Sequence, residues 1–170
     1  MNGAIEPMTS VDVCIITQLH PSLNPRMVKD ADALTRAGYS VSVIAPDFSE
    51  WGREADKEFA ARPWKIVERP TFGPLAPRGA RIAELARRAF AGIAVRKCGV
   101  EHPALVRAAC HPVAPKLLAA ARRQSASVYL AHLVAALPAA AFAAPLAEML
   151  EVLPGGRFLA RGVLLPLARA

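Results

Sequence analysis

Residues 11–45, VDVCIITQLHPSLNPRMVKDADALTRAGYSVSVIA, decide the fold of this chain. The first seven residues are almost continuously apolar and β-branched, which is typical of a strand covered on both faces. Asn24 and Pro25 suit an N-cap and a first helical position, and Gly38 suits a left-handed helix end. A second β-branched run follows over residues 39–45. The stretch therefore predicts a right-handed βαβ unit.

The helix of this unit is amphipathic. Met27, Ala31 and Leu34 recur at helical spacing and form a stripe that can face a sheet. Asp30 and Asp32 lie early in the helix, where its dipole favours acids. We expect the helix to end at Gly38, after a basic last turn.

The remainder of the chain continues to alternate strands with helices. The predicted elements are a short helical piece near residues 54–60, a more exposed strand over 64–69, a connector over 70–77, a helix over 78–97, a helical stretch over 101–123 interrupted at Pro112 and Pro115, a strand over 128–131 ending at His132, and an alanine-rich helix over 135–144.

This alternation predicts an α/β fold, a doubly wound parallel sheet with helices on both faces. We place the first strand centrally, the second and third on one side of it, and the fourth on the other. In such a sheet the ligand crevice opens at the carboxyl ends of the strands, where the strand order reverses. The loop over residues 18–26 and His132 should meet there.

Composition and charge restrict the class of protein. A chain of 170 residues that is 54% hydrophobic can build one ordinary domain. Three cysteines make no disulfide framework, and residues 1–10 contain no basic-then-apolar leader, so we expect a cytoplasmic location. Residues 1–60 carry a net charge of −4 and residues 61–170 one of +11, which favours anionic partners. No nucleic-acid motif or aromatic stacking platform accompanies this charge, so we expect no nucleic-acid partner.

The loop after the first strand disfavours a dinucleotide cofactor and excludes a P-loop. It contains neither a G-x-G-x-x-G dinucleotide grip nor a G-x-x-x-x-G-K-[ST] phosphate loop. What it offers is a helix N-terminus with Arg26 in its first turn, and both features attract anions. The alternative is that Asn24 only caps the helix and that Arg26 is solvated. His132 could likewise be a loop residue without a ligand.

Two other patterns, one suggesting a zinc site and one suggesting a membrane span, are better explained in other ways. Cys98, His102, Cys110 and His111 are zinc-ligand types, but their C-x3-H-x7-C-H spacing fits no common structural site, so we expect no metal. Residues 124–147 contain no Asp, Glu, Lys or Arg, yet their alanine content, His132 and two prolines favour a buried strand and helix over a membrane span.

The helix over residues 78–97 could lie on an anionic membrane surface. Its apolar stripe contains Ile82, Leu85, Ala86, Ala89 and Ile93, while Arg81, Arg88 and Arg96 line another face. The alternative is a solvated arginine face with no membrane contact.

The run NPR at residues 24–26, followed by KDADAL (29–34) and AGYSVSVIA (37–45), resembles the N-terminal domain of family 4-like glycosyltransferases. The stretch VYLAHLVAALPAA at residues 128–140 is similar to the strand–histidine–helix segment of that domain. The resemblance runs from about residue 11 to residue 144.

The resemblance implies half of a GT-B architecture, in which this domain binds the acceptor and a second domain binds the nucleotide sugar. His132 would then face the transferred hexose, and Asn24 and Arg26 would lie on the cleft side of the first loop. Members of this group are typically retaining enzymes that need no metal or other cofactor. We identify no residue as catalytic.

We divide the chain into a disordered segment over residues 1–10, the acceptor-side domain over residues 11–144, and an atypical tail over residues 145–170. The donor domain has no counterpart in this sequence, so we expect a truncated transferase or one half of a two-chain enzyme, inactive alone. The expected partners are a sugar or lipid-linked acceptor and, through that other domain, a nucleotide sugar. The alternatives are a non-catalytic α/β binding module for a phosphorylated or sugar ligand, and a basic peripheral membrane protein.

Overall fold

The computed structural model describes residues 11–99, 105, 109, 111–143, 148–153 and 157–164. Six strands form one sheet in the order β3-β2-β1-β4-β6-β5. Their bounds are β1 Asp12–Thr17, β2 Ser40–Ile44, β3 Lys65–Glu68, β4 Val128–His132, β5 Glu148–Leu153 and β6 Arg157–Leu164. The described helices are α1 Pro25–Arg36, α2 Glu50–Ala55, α3 Arg78–Cys98, α4 Ala114–Ala121 and α5 Leu137–Ala143.

The first four strands are all parallel, with β1 paired to β2 on one side and to β4 on the other. Helices cover both faces, so the chain is a doubly wound α/β protein, as the sequence predicts. The strand order within this parallel part, β3-β2-β1-β4, is also the predicted one. It reverses between β1 and β4, so the crevice of such a sheet lies at the carboxyl ends of these two strands.

Alternate residues of the strands supply two separate cores. On one face Val13 and Ile15 pack with Met27, Val28 and Ala31 of α1. On the other face Cys14 and Ile16 pack against α4 and α5, whose buried residues are mostly alanine. Because β1 is covered on both sides, its central residues Val13 to Ile16 are all apolar, which explains its near-continuous hydrophobic pattern.

The predicted ends of helix α1 are confirmed. The Asn24 side chain accepts a hydrogen bond from the Met27 amide at the start of the helix, and Gly38 has a φ of +90° just after its end. The expected place of the acids is wrong in detail, since the first turn holds no acidic residue. Asp30 and Asp32 lie further along α1 and pair with residues outside it.

Two other predictions about helices need correction. Pro115 does not interrupt a helix, because it lies in the first turn of α4, where no amide donor is required. The short helical piece begins earlier than expected, at Glu50, and passes at Asp56 into a 3-10 helix. The uncharged stretch after residue 124 contains β4 and α5, so the predicted buried strand and helix are confirmed.

An antiparallel hairpin of β5 and β6 extends the sheet beyond β4. From the sequence, only an atypical tail is predicted here. The division of the chain at residues 144 and 145 stays a prediction, and the expected disorder of residues 1–10 lies outside the described residues. So do His102 and Cys110 of the rejected zinc pattern. Within the described part of the chain, no helix is both long and apolar enough to cross a bilayer.

Candidate functional site

The carboxyl ends of β1 and β4 meet at one edge of the sheet. Thr17 ends β1 and lies directly opposite His132, which ends β4. The expected convergence of the loop after β1 with His132 is therefore confirmed. We call residues 17–24 together with residues 132–136 the carboxyl rim.

The first half of the rim is held by hydrogen bonds centred on Thr17. Its buried hydroxyl oxygen accepts from the Leu19 amide at 3.2 Å and from Asn24 Nδ2 at 3.1 Å. The Asn24 Oδ1 atom accepts from the Met27 amide at 3.2 Å. Asn24 is buried, so its side chain joins the end of β1 to the start of α1. Both ends of this amide are engaged within the protein, which agrees with the capping interpretation.

Arg26 lies in the first turn of α1 and is exposed. Its position beside the helix N-terminus is the one the sequence predicts for an anion contact. Among the predicted site residues, Asn24 and His132 are brought together around Thr17, and Arg26 lies two residues after Asn24 on the surface. A ligand role for all three stays a prediction.

Gln18 ties the two halves of the rim together. Its Oε1 atom accepts a hydrogen bond of 2.8 Å from the Ala135 amide, 117 residues further along the chain. Ala135 belongs to the 3-10 helix Val134–Ala136 that leads into α5. The two loops are therefore fixed relative to each other by a direct bond as well as by strand pairing.

His132 is buried, with only 3% of its surface exposed. Its Nε2 atom lies 3.4 Å from Asp30 Oδ2, so the imidazole of β4 contacts a carboxylate of α1. A carboxylate at this distance helps to orient the ring. Substrate contact at His132 would therefore use a side chain that the protein already holds in position.

The residue after His132 has strained backbone. Leu133 has φ +74° and ψ 159°, and it is the one non-glycine residue with positive φ among those described. This region of backbone space is essentially reserved for glycine, because a Cβ atom clashes there. Such strain costs on the order of 1–3 kcal/mol and concentrates at functional sites. It marks the turn out of β4 as the most constrained point of the rim.

A buried polar cluster joins the first half of the rim to Asp56 and Arg69. His20 and Asp56 are both enclosed, and His20 Nδ1 lies 2.9 Å from Asp56 Oδ2. Asp56 also accepts from the Ser22 amide at 3.0 Å and from Arg69 Nη1 at 2.8 Å. Burial opposes ionisation of this carboxyl, but these hydrogen bonds outweigh it and hold the pKa of Asp56 below its usual value.

Gly52 of α2 closes this cluster. A Cβ atom at Gly52 would lie 2.4 Å from His20 Cδ2, so only glycine fits there. The Phe48 amide donates a hydrogen bond of 3.4 Å to His20 Nε2. Because every polar atom of the His20 ring faces a protein group, the cluster fixes the loop after β1 and offers no open coordination site.

Sequence reasoning missed Gln18, His20, Asp56 and Leu133. Their partners lie far along the chain, so no local spacing connects them. A signal existed only for Gly52, an unusual residue inside a short helix.

The described residues hold no cluster of three or more His, Cys, Asp or Glu side chains that could bind a metal ion. His111 of the rejected zinc pattern accepts a hydrogen bond from the Val113 amide. Its burial, reinforced by nearby Arg88, holds the pKa of His111 below its usual value.

The polar groups of the rim are suited to binding a ligand. It combines one carboxylate-supported imidazole, a helix N-terminus and an exposed arginine, which suits hydroxyl-rich or anionic ligands. Neither a family model, a curated protein nor a solved structure matches this chain.

Proposed function

We propose that this chain is the acceptor-side domain of a family 4-like glycosyltransferase and takes part in transfer of a hexose from a nucleotide sugar. The observation that carries the proposal is the convergence of Thr17 and His132 on one edge of a parallel sheet. The residues NPR at 24–26 and the histidine at the end of β4 are the landmarks of the resemblance, and here they lie around the same point.

The chemistry of the rim supports binding of a sugar. Asp30 holds the His132 imidazole at the end of β4, and Arg26 adds positive charge at the exposed start of α1. The reaction also requires a donor-binding domain that holds the nucleotide diphosphate, on this polypeptide or on a second one, because both substrates must be oriented together. We place the working enzyme in the cytoplasm, where nucleotide sugars would reach it.

An NMR titration tests the proposal. The chain, labelled with nitrogen-15, is titrated separately with methyl hexosides, with a short prenyl diphosphate-linked hexose, and with a nucleotide hexose. We expect one of the acceptor-type ligands to shift amides of the rim, and the nucleotide hexose to leave them unchanged. The assignment is contradicted if the nucleotide hexose shifts the rim amide resonances. It is also contradicted if no ligand shifts them.

Two variants refine the test. His132→Asn should weaken acceptor binding by about tenfold, since a positioned hydrogen-bonding side chain is lost. Glu58→Gln, which changes an exposed residue outside the rim, should leave binding unchanged. Circular dichroism checks that both variants are folded. A hexose phosphate is titrated in parallel, and if it alone shifts the rim amides, the non-catalytic binding module replaces the transferase proposal.

A further inference from the structure

Helix α3 turns its apolar side away from the protein. Ile82, Leu85, Phe90 and Ile93 are 70%, 68%, 72% and 56% exposed. We call these four side chains the outer face of α3. A surface helix normally directs such residues at the core and its polar residues at water.

The inner side of the same helix carries its only carboxylate. The Glu84 side chain is 10% exposed, and its Oε2 atom lies 3.1 Å from Lys116 Nζ of α4. Ala91, two turns further on, is also buried. Glu84 therefore joins α3 to α4, and the exposed apolar residues lie on the other side of the helix.

Positive charge lies at both ends of the outer face. Arg78 and Arg81 are exposed in the first turn, and Arg96 and Lys97 are exposed in the last. With Glu84 turned inward and paired, no acidic side chain of α3 offsets them at the surface. The helix is 21 residues long, about 30 Å, and between these charges the outer face extends for about 17 Å along it.

An open groove of about 560 Å³ adjoins the first turns of this face. Phe72, Ile82, Leu85 and Pro112 supply apolar walls, and Arg78, Arg81 and Arg88 supply positive charge, with the paired Glu84 on the inner wall. Such a groove combines sites for a phosphate group and for the hydrocarbon next to it.

We propose that α3 is a membrane-docking helix, which lies in the plane of an anionic phospholipid surface with its outer face among the acyl chains. An apolar strip bracketed by Arg and Lys is the pattern of helices that bind at this interface. A second copy of the chain would bring the same positive charges face to face, so lipid phosphates are the better match. The inference does not depend on the proposed glycosyl transfer.

Vesicle sedimentation tests the proposal with the intact chain. The probes are phosphatidylcholine vesicles and vesicles in which one lipid in three is phosphatidylglycerol. We expect the chain to sediment with the anionic vesicles at low salt, to remain in solution with the neutral ones, and to be released at high salt. Absence of binding to anionic vesicles at low salt overturns the proposal.

Variants assign the binding to α3. The double variant Phe90→Glu, Ile93→Glu should bind anionic vesicles at least about tenfold more weakly, because both apolar anchors are lost. Replacing Arg96 by Gln should weaken binding about fivefold, in line with one basic residue near an anionic surface. The matched control is Trp51→Glu, which changes an equally exposed aromatic residue on α2 and should have no effect.

Circular dichroism, thermal unfolding, fluorescence and light scattering separate loss of binding from loss of structure and from self-association. Circular dichroism and thermal unfolding should be unchanged in all variants, since the replaced side chains are exposed. In Phe90→Trp, the added indole emission should shift to the blue on addition of anionic vesicles. If the double variant binds vesicles normally but converts a dimer into a monomer in light scattering, the outer face is a protein interface and the membrane proposal is wrong.

Discussion

The backbone at Leu133 is held in a conformation that suits glycine, directly after the histidine of the rim. Leu133→Gly should raise the free energy of unfolding by about 1 kcal/mol, since relief of strain exceeds the added chain entropy of glycine. Urea denaturation measures the change. Val134→Gly is the matched control and should be destabilising, because no positive φ is present there. A destabilised Leu133→Gly variant would show that the turn carries no strain.

Gly52 is a second residue whose size is fixed by its surroundings. Gly52→Ala should lower the free energy of unfolding by about 1–3 kcal/mol, because its methyl group would overlap the His20 ring. Gly92→Ala in α3 has open space around it and should be neutral or stabilising by up to about 1 kcal/mol. Thermal unfolding of the two variants measures the contrast. Equal midpoints would mean that His20 moves aside without cost.

Asp56 makes stability depend on pH in the acid range. Its pKa is lower in the folded chain than in the unfolded chain, so its contribution is complete above the ordinary aspartate pKa and is lost as the pH falls through the folded value. Asp56→Asn should be less stable by about 3 kcal/mol at neutral pH, and this deficit should shrink in acid.

Urea denaturation over a series of acidic pH values measures the difference between wild type and Asp56→Asn. Taking the difference cancels other carboxylates, such as Glu68, whose pKa is lowered mainly by Arg123. Glu58→Gln serves as an exposed control. A deficit that stays constant with pH would indicate that the Asp56 contacts do not depend on its charge.

At the scale of secondary-structure elements, helices α4 and α5 contact each other mainly through alanine side chains. Ala120 and Ala140 are fully buried in the core shared by these helices. Ala140→Leu should therefore destabilise the protein by about 1–3 kcal/mol, because a close-packed contact has no room for a larger side chain. Ala119→Leu, on the exposed side of α4, should change stability by less than about 0.5 kcal/mol. Chemical denaturation measures both variants, and a stable Ala140→Leu would reveal unfilled space between the helices.

Elements with strong local signals could be predicted from the sequence. The order of β1, α1 and β2 follows from apolar periodicity, the Asn24 cap and Gly38, which act within a few residues of one another. The orientation of α3 could not be predicted, because an apolar stripe does not say which way it faces. The hairpin of β5 and β6 was missed although a Pro-Gly-Gly turn signal separates its strands.

For the site, the sequence predicts the meeting of two loops but not what holds them. The parallel order of strands brings Thr17 to His132 by topology alone. The contacts of Gln18 with Ala135 and of His132 with Asp30 join residues distant in the chain, and only three-dimensional packing reveals them.

At the scale of the whole molecule, the hairpin covers the outer side of β4. Removal of residues 145–170 should leave that strand as an open edge, which is a template for pairing with other chains. We expect the shortened chain to elute as larger species in size-exclusion chromatography with light scattering, while the full chain does so to a lesser extent. A monomeric shortened chain would show that β4 needs no cover.

The bonds inside the carboxyl rim also determine how a ligand would meet the molecule. Thr17, Gln18 and Asn24 direct their polar groups at one another and at neighbouring backbone. The rim is thus preorganised, and an arriving ligand has little left to order. The rim would therefore bind a ligand as a rigid surface. Its selectivity would depend on the shape of the ligand, and ligands that require the rim to rearrange would bind weakly.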